Sequence, residues 1–435
     1  MPRFPRIEQG LASLLFLAAT AQTACAGDWP QWRGPDLNGT SDETNTPASV
    51  NPQKDVLWSV DMPGESSATP VVVGNRIFVA SNGPELEKLF GICIDRDTGE
   101  VLWQKQLAEA TGPIPRNTMA SCSPVADENL VYFVFGTGQV TALDHDGNEV
   151  WSRNIKELGP IALQFGYSSS PLLYKNRLYF PILRGQWRSE IPRDSYTDED
   201  SYLLCLDAKT GDVVYHVHRP NDAVGESHDS YTTAVPYEAG EKSVIVLQGG
   251  DCTTGHDADT GEELWRFTDN PRKQAHWRLI PTPVVADEMI FNAQPRGGLA
   301  YAFNPNVKTQ KDVPSAAWVY DQRTTDVPTP AYYEGYLYVL NGVRKVVSCF
   351  DPKTGEELWV GDLPDNRRFW SSPVVADGKI YMVDEDGGVV VATADKKFKI
   401  LSSGSFGGRP CKSSPVIAGG KLFIRTSEKL FCIGS

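Results

Sequence analysis

One pattern constrains this chain more than any other. A Ser/Thr-Pro step opens an apolar run, a tight turn follows, and a second apolar run returns, about every 49 residues. It reads TPVVVGNRIFVA at 69–80, SPVADENLVYFV at 123–134, SPLLYKNRLYFP at 170–181 and TPVVADEMIFNA at 282–293. TPAYYEGYLYVL at 329–340, SPVVADGKIYMV at 372–383 and SPVIAGGKLFIR at 414–425 continue the series, and TAVPYEAGEKSVIVL at 233–247 is a longer, divergent copy. Between copies stands a second string: DRDTGEVLW (95–103), DHDGNEVW (144–151), DAKTGDVVY (207–215), DADTGEELW (257–265) and DPKTGEELW (351–359). Short strands with alternating apolar residues, joined by glycine-rich turns at this period, predict a β-propeller.

Each unit reads as four antiparallel strands, and eight units account for residues 55–435. The last copy ends at LFCIGS (430–435) after three strands, while a lone fourth-strand segment, DVLWSVD, stands at 55–61. The fold predicted is all-β: an eight-bladed propeller of four-stranded antiparallel blades, its ring closed by the N-terminal strand completing the last blade. Pairing the two ends also removes an exposed sheet edge.

The repeated DxxTG string reads as a joint rather than a catalytic or metal loop. Its Asp accepts hydrogen bonds from the turn backbone, and its Gly takes the positive φ of a hairpin. The spacing fails the calcium loop pattern, which needs Gly at the sixth and Glu at the twelfth position. An aromatic recurs on the fourth strand as Trp58, Trp103, Trp265 and Trp359, with Trp151 and Trp318 at altered spacing, Tyr215 in blade 3 and Leu401 in blade 7. A large ring there can pack on the next blade. Cys93, Cys205, Cys349 and Cys432 hold equivalent repeat positions, too far apart to bond one another, and read as small buried hydrophobes.

Arg3 and Arg6 precede the apolar run LASLLFLAATA (11–21), and Ala24-Cys25-Ala26 follows. This reads as a signal peptide, 1–26, cleaved after Ala26, for an exported chain of periplasmic or extracellular location. A lipoprotein beginning at Cys25 is the weaker alternative, because Gln22 stands where an aliphatic is wanted. Residues 27–54 form an N-terminal extension, and no further segment is apolar enough to span a bilayer. A net charge of −14 argues against nucleic acid and anionic membranes as partners.

The repeat resembles the PQQ-like β-propeller repeat of quinoprotein alcohol dehydrogenases and of BamB-like outer-membrane assembly factors. The opening DWPQWRGPDLNG (28–39) resembles the leader-proximal motif of secreted bacterial proteins of this class. The dehydrogenase resemblance implies PQQ held against a disulfide between adjacent cysteines, a calcium ion and a catalytic Asp. This chain has no adjacent cysteines, and neither calcium ligands nor that Asp can be carried over. No cofactor is expected on the leading reading; PQQ and calcium belong to the dehydrogenase alternative.

Propeller topology sorts the loops onto two faces. The DxxTG and VADG-type turns share a bottom face rich in carboxylates, among them Asp95, Asp144, Asp207, Asp257 and Asp351. Loops leading into first strands, and those between second and third strands, share the top. There the sequence places Arg116, Gln164, Arg184, Trp187, Arg188, His228, His276, Trp277, Arg278, Arg296, Arg367, Arg368, Trp370, Arg409 and Lys412. Arg beside Trp suits capture of carboxylates, sulfates or phosphates, so these residues are the candidate lining of an anion-accepting funnel. The alternative is that they pack on one another and fill the mouth. Top-face acids, including Glu85, Glu87 and Asp384, compete with the funnel reading. The long insertion at 184–201 can cover the mouth or dock a partner.

Histidines offer little chemistry. His216 and His218 share one side of a strand without a third ligand in view, and His228-Asp229-Ser230 are sequence neighbours rather than a triad assembled from separate segments. The expectation is a monomeric, non-enzymatic binding or scaffolding propeller, taking a small anionic ligand or an envelope protein. The alternatives are a PQQ-dependent dehydrogenase and a BamB-like assembly factor.

Overall fold

The computed structural model describes residues 27–185, 201–240, 242–308, 314–364 and 368–434. The expected signal peptide, Trp187, Arg188, Arg367 and most of the 184–201 insertion lie outside the described residues. Eight sheets form one circle. Blade 1 comprises Val71–Val73, Arg76–Asn82, Lys88–Asp95 and Val101–Glu109, ordered from axis to rim, and the other blades repeat this plan. The eighth blade is closed as the sequence predicts: Val56–Asp61 pairs antiparallel with Lys429–Ile433, Trp58 opposite Cys432. No helix among the described residues is long and apolar enough to cross a membrane.

Blades touch face to face, so the core is a circle of layers rather than one centre. Phe78, Cys93, Val131 and Phe133 fill the layer between blades 1 and 2, and Tyr338, Cys349, Ile380 and Val390 the layer between blades 6 and 7. The DxxTG turns lock these layers. Asp95 Oδ1 accepts from the Asp97 and Thr98 N–H groups at 3.0 and 2.9 Å, and Asp351 Oδ1 from Lys353 and Thr354 at 2.8 and 3.1 Å. The Thr98 bonds hold the Asp95 carboxyl below its usual range.

The fourth-strand aromatics work as the sequence predicts, with a precise partner. Trp58 Nε1 donates to Arg96 O at 3.1 Å, Trp103 to His145 O at 3.0 Å, Trp151 to Ala208 O at 2.9 Å and Trp318 to Pro352 O at 2.8 Å. Each acceptor follows the Asp of the next blade's turn. The indole lies on that turn's glycine: a Cβ on Gly99 would stand 2.7 Å from Trp58, and one on Gly355 2.5 Å from Trp318. The turn therefore needs glycine twice, for its φ of 77° or 75° and for a flat seat.

Blade 7 corrects one expectation. Each joint aromatic follows a bulge, and in blade 7 the residue after the bulge, facing Val391, is Ser402, not Leu401. Leu401 is the outward bulge residue, 39% exposed. The space of the missing ring is taken by the N-terminal extension, whose Val50 N–H donates to Ser402 Oγ at 3.1 Å.

The extension itself enters the propeller. Trp29 exchanges two backbone hydrogen bonds with Val72 of blade 1, at 2.8 and 2.9 Å. Ala126 of blade 2 donates to Pro30 O, and Leu173 of blade 3 to Gln31 Oε1. Across the ring, Tyr332 of blade 6 donates to Asn38 O, Val375 of blade 7 to Gly39 O, and Thr40–Ser41 adds a parallel strand to Val374–Ala376. The segment crosses the channel and plugs it. Arg33, 1% exposed, is its pin: Nη1 donates to Pro373 O at 2.9 Å and Nη2 to Pro330 O at 2.6 Å. Burial drives its guanidinium pKa down to about 9.

Candidate functional site

A buried ring of hydroxyls surrounds the channel at the Ser/Thr that opens each repeat. The Thr69 N–H donates to Ser123 Oγ at 2.9 Å, and Ser123 N–H to Ser170 Oγ at 3.0 Å. Thr233 donates to Thr282, Thr282 to Thr329, and Thr329 to Ser372, each at 2.9 Å. Ser372 donates to Ser414 at 3.2 Å, and Ser414 to Thr69 at 3.1 Å. Seven of the eight blades thus grip the next one through such a side chain, 42 to 54 residues along the chain or across the end-to-end closure; among the described residues no such bond runs from Ser170 of blade 3 to Thr233 of blade 4. The sequence shows these residues plainly, but their role is visible only once the blades are side by side.

Above this ring lies an open-topped cavity of about 770 Å³, which Trp32 of the plug also lines. The segments leading into the first strands present alternate residues to it, as extended backbone requires. In blade 7 these are Arg368, Trp370 and Ser372; in blade 8, Lys412 and Ser414; in blade 5, Arg278 and Ile280. Seven of the expected residues are brought together here: Arg116, Arg278, Arg296, Arg368, Trp370, Arg409 and Lys412. Six cations face two carboxylates, Asp326 and Glu385, in a chain of net charge −14.

The cations divide into two groups. Arg278 and Arg296 share Glu226 Oε2, at 3.2 and 2.9 Å. Arg409 lies 3.7 Å from Glu385 and 3.5 Å from Asp386, and Glu385 also accepts from Trp370 Nε1 at 3.0 Å. By contrast, Arg116, Arg368 and Lys412 have no carboxylate within ion-pair distance among the described residues. Arg368 sits 5.8 Å from the Trp370 ring centre, and Arg116 and Arg278 sit 5.9 and 5.2 Å from that of Phe165. Lys412 Nζ donates to Arg116 O at 2.9 Å, and burial pulls its ammonium pKa below the ordinary value. Asp384, expected to compete for these cations, is instead engaged by its own turn, accepting from Asp386 and Gly388 N–H at 2.9 and 2.8 Å.

Five expected residues do not line the cavity. Gln164, Arg184 and His228 surround Asp229 beside it: Asp229 accepts from Gln164 N–H at 2.8 Å and Gly185 N–H at 2.7 Å, and Arg184 Nε donates to Ala162 O at 2.9 Å. His228 packs on Gly185. Desolvation pushes the Asp229 carboxyl up to about 6. Ser230 Oγ donates instead to Gln248 O at 2.7 Å, so His228, Asp229 and Ser230 make no triad. His276 is exposed and Trp277 half-buried, off the cavity wall. In blade 5 parity separates the neighbours: Arg278 stands an even number of residues before Thr282, whereas Trp277 is one residue out of step and leaves the wall. His216 and His218 lie on the outer strand Val213–His218, rings 5.9 Å apart, and the described residues hold no group of three His, Cys, Asp or Glu able to bind a metal.

The donor set does not fit the calcium of the dehydrogenase alternative. Glu226 is committed to Arg278 and Arg296, Glu385 to Trp370 and Arg409, and Asp326 Oδ1 accepts from the Arg296 N–H at 2.7 Å. The seven described cysteines are all free and buried, away from any disulfide platform.

Residues 47–187, 195–317 and 307–400 match the family described as outer membrane protein assembly factor BamB. The BamB of Burkholderia pseudomallei is 24% identical over 413 residues, covering 90% of this chain and 92% of that protein. Tetrathionate hydrolase of Acidithiobacillus ferrooxidans is 22% identical over 382 residues, covering 76% of this chain, which spans 65% of the hydrolase's length. The quinohemoprotein alcohol dehydrogenase of Comamonas testosteroni superposes with a TM-score of 0.66 at 14% identity, over 96% of this chain and 82% of the enzyme, and so shares the fold.

Proposed function

This chain belongs to the BamB family of PQQ-like propellers, and from that premise we propose that it is an exported, non-enzymatic binding propeller whose cationic top cup takes an anionic group. One observation carries the reading: Arg116, Arg368 and Lys412 line a cavity backed by the N-terminal plug, with no carboxylate partner among the described residues. Arg116 and Arg368 are exposed at the mouth, while Lys412 is partly buried, where a cation attracts an anion more strongly than on an open surface. The experiment is a calorimetric titration of the mature chain with sulfated saccharides, carboxylated saccharides and nucleotides. Saturable binding that weakens in Arg368→Gln supports the reading. Absence of binding by every member of the panel overturns it.

The family match favours a second reading, in which the bound group is an acidic segment of an envelope protein in an assembly role. Affinity capture from envelope extracts, repeated with Arg368→Gln and Lys412→Gln, tests it. A partner retained by wild type and lost by both variants supports docking at the cup. A partner retained equally by all three places docking elsewhere.

A further inference from the structure

We infer that the depth of the cup is built for a tetrahedral oxyanion head, a sulfate, sulfonate or phosphate, entering first with its organic body trailing toward the mouth. This rests on the anion-binding reading above and adds the chemistry of the bound group.

A Ser or Thr hydroxyl has one proton to donate and two lone pairs to accept with. In the ring, the oxygens of Thr69, Ser123, Ser170, Thr329, Ser372 and Ser414 each accept a neighbouring blade's N–H. None of these six hydroxyls donates to a protein acceptor among the described residues, although all are buried, Thr69 to 1% and Ser414 to 3% exposure. All six line the cavity. Buried O–H groups require an acceptor, and the cavity side can supply one, from water or from the oxygens of a bound group.

These donors are arranged in a circle, and that decides the head. A carboxylate offers two oxygens in one plane, which suits the fork of a single Arg. The ring instead offers protons from blades 1, 2, 3, 6, 7 and 8, around most of its circumference. Oxygens distributed about an axis, as in a tetrahedral head, match such donors. Lys412 and Arg116, joined by the 2.9 Å bond from Nζ to the Arg116 carbonyl, stand above the same side and supply the charge. Phe165, Tyr231 and Trp370 line the cavity with rings for an apolar or planar body.

Three probes with one body test this: benzoate, benzenesulfonate and phenyl phosphate, titrated into the mature chain by calorimetry. Benzoate and benzenesulfonate carry equal charge, so their ratio isolates head geometry. The sulfonate is expected to bind about tenfold more tightly than benzoate, as several added hydrogen bonds to a charged group imply. Phenyl phosphate separates a phosphate from a sulfonate source by which of the two binds more tightly. The preference is expected to vanish in Thr69→Val and Ser123→Ala and to survive in Thr69→Ser, whose melting curve controls for folding. Equal binding of all three probes, weakened together by Lys412→Gln, overturns the head assignment and leaves the anion cup standing. Binding by none of them removes both.

Discussion

Cys349 and Trp359 stand directly opposite each other across the third and fourth strands of blade 6. The same pairing recurs as Cys93 with Trp103, Cys205 with Tyr215 and Cys432 with Trp58, and as Ala142 with Trp151, Gly255 with Trp265 and Ala302 with Trp318. A small residue always faces the joint ring. At Gly255 even a Cβ would lie 2.1 Å from Trp265. Blade 7 shows the reciprocal exchange, Val391 facing Ser402. The repeated cysteines are therefore volume markers for the blade joint.

Cys349→Leu should destabilise the propeller by roughly 1–3 kcal/mol through overpacking, and Cys349→Ala by less. Urea unfolding followed by tryptophan fluorescence measures both. Leucine tolerated as well as alanine would contradict the volume argument.

Gly355 and Gly378 separate the two demands made on turn glycines. Gly355 has φ 75° and carries Trp318, whereas Gly378 has φ 67° and nothing within 4 Å of an added Cβ. Gly378→Ala should cost about 1 kcal/mol, the backbone penalty alone. Gly355→Ala should cost about 2–4 kcal/mol, since the indole must also move. Equal melting shifts for the two variants would show that the glycine seat carries no weight.

Arg33→Met should loosen the plug. It removes the donors to Pro330 O and Pro373 O, at a cost of about 2–4 kcal/mol for bonds made by a buried charged group. Hydrogen exchange gives the local readout. The Val72 and Val375 amides, which donate to Trp29 O and Gly39 O, should exchange faster, while amides of outer strands do not change.

Much of this architecture is legible in the sequence because it is local. The DxxTG turn forms within five residues, its period is direct, and the strand missing after Ile433 is found at Val56. The ring hydroxyls are equally visible as letters, yet their bonds join different blades, so spacing along the chain says nothing of them. The plug is harder still. DWPQWRG has no copy to compare it with, and nothing in the string marks Arg33 for burial under two carbonyls from blades 6 and 7. Within the funnel, residue type alone selected Trp277 with Arg278; the parity of the extended segment separates them.

Asp229 should make stability depend on pH. Burial raises its pKa to about 6, against about 3.9 in an unfolded chain. The folded state then holds a proton that the unfolded chain has released, so stability falls as pH rises from about 4 to 6. The loss amounts to about 2–3 kcal/mol at this site, and Asp251, also pushed up to about 6, adds to it in the same direction. In Asp229→Asn the urea midpoint should fall less over this range. An unchanged pH slope would place the titration elsewhere.

Anion binding in the top cup can be seen by anomalous diffraction from crystals soaked in bromide. An ordered bromide is expected within contact distance of Arg116, Arg368 or Lys412 inside the cup, and is expected to be lost in Arg368→Gln or Lys412→Gln. Bromide sites on the outer surface with none in the cup would contradict anion binding there.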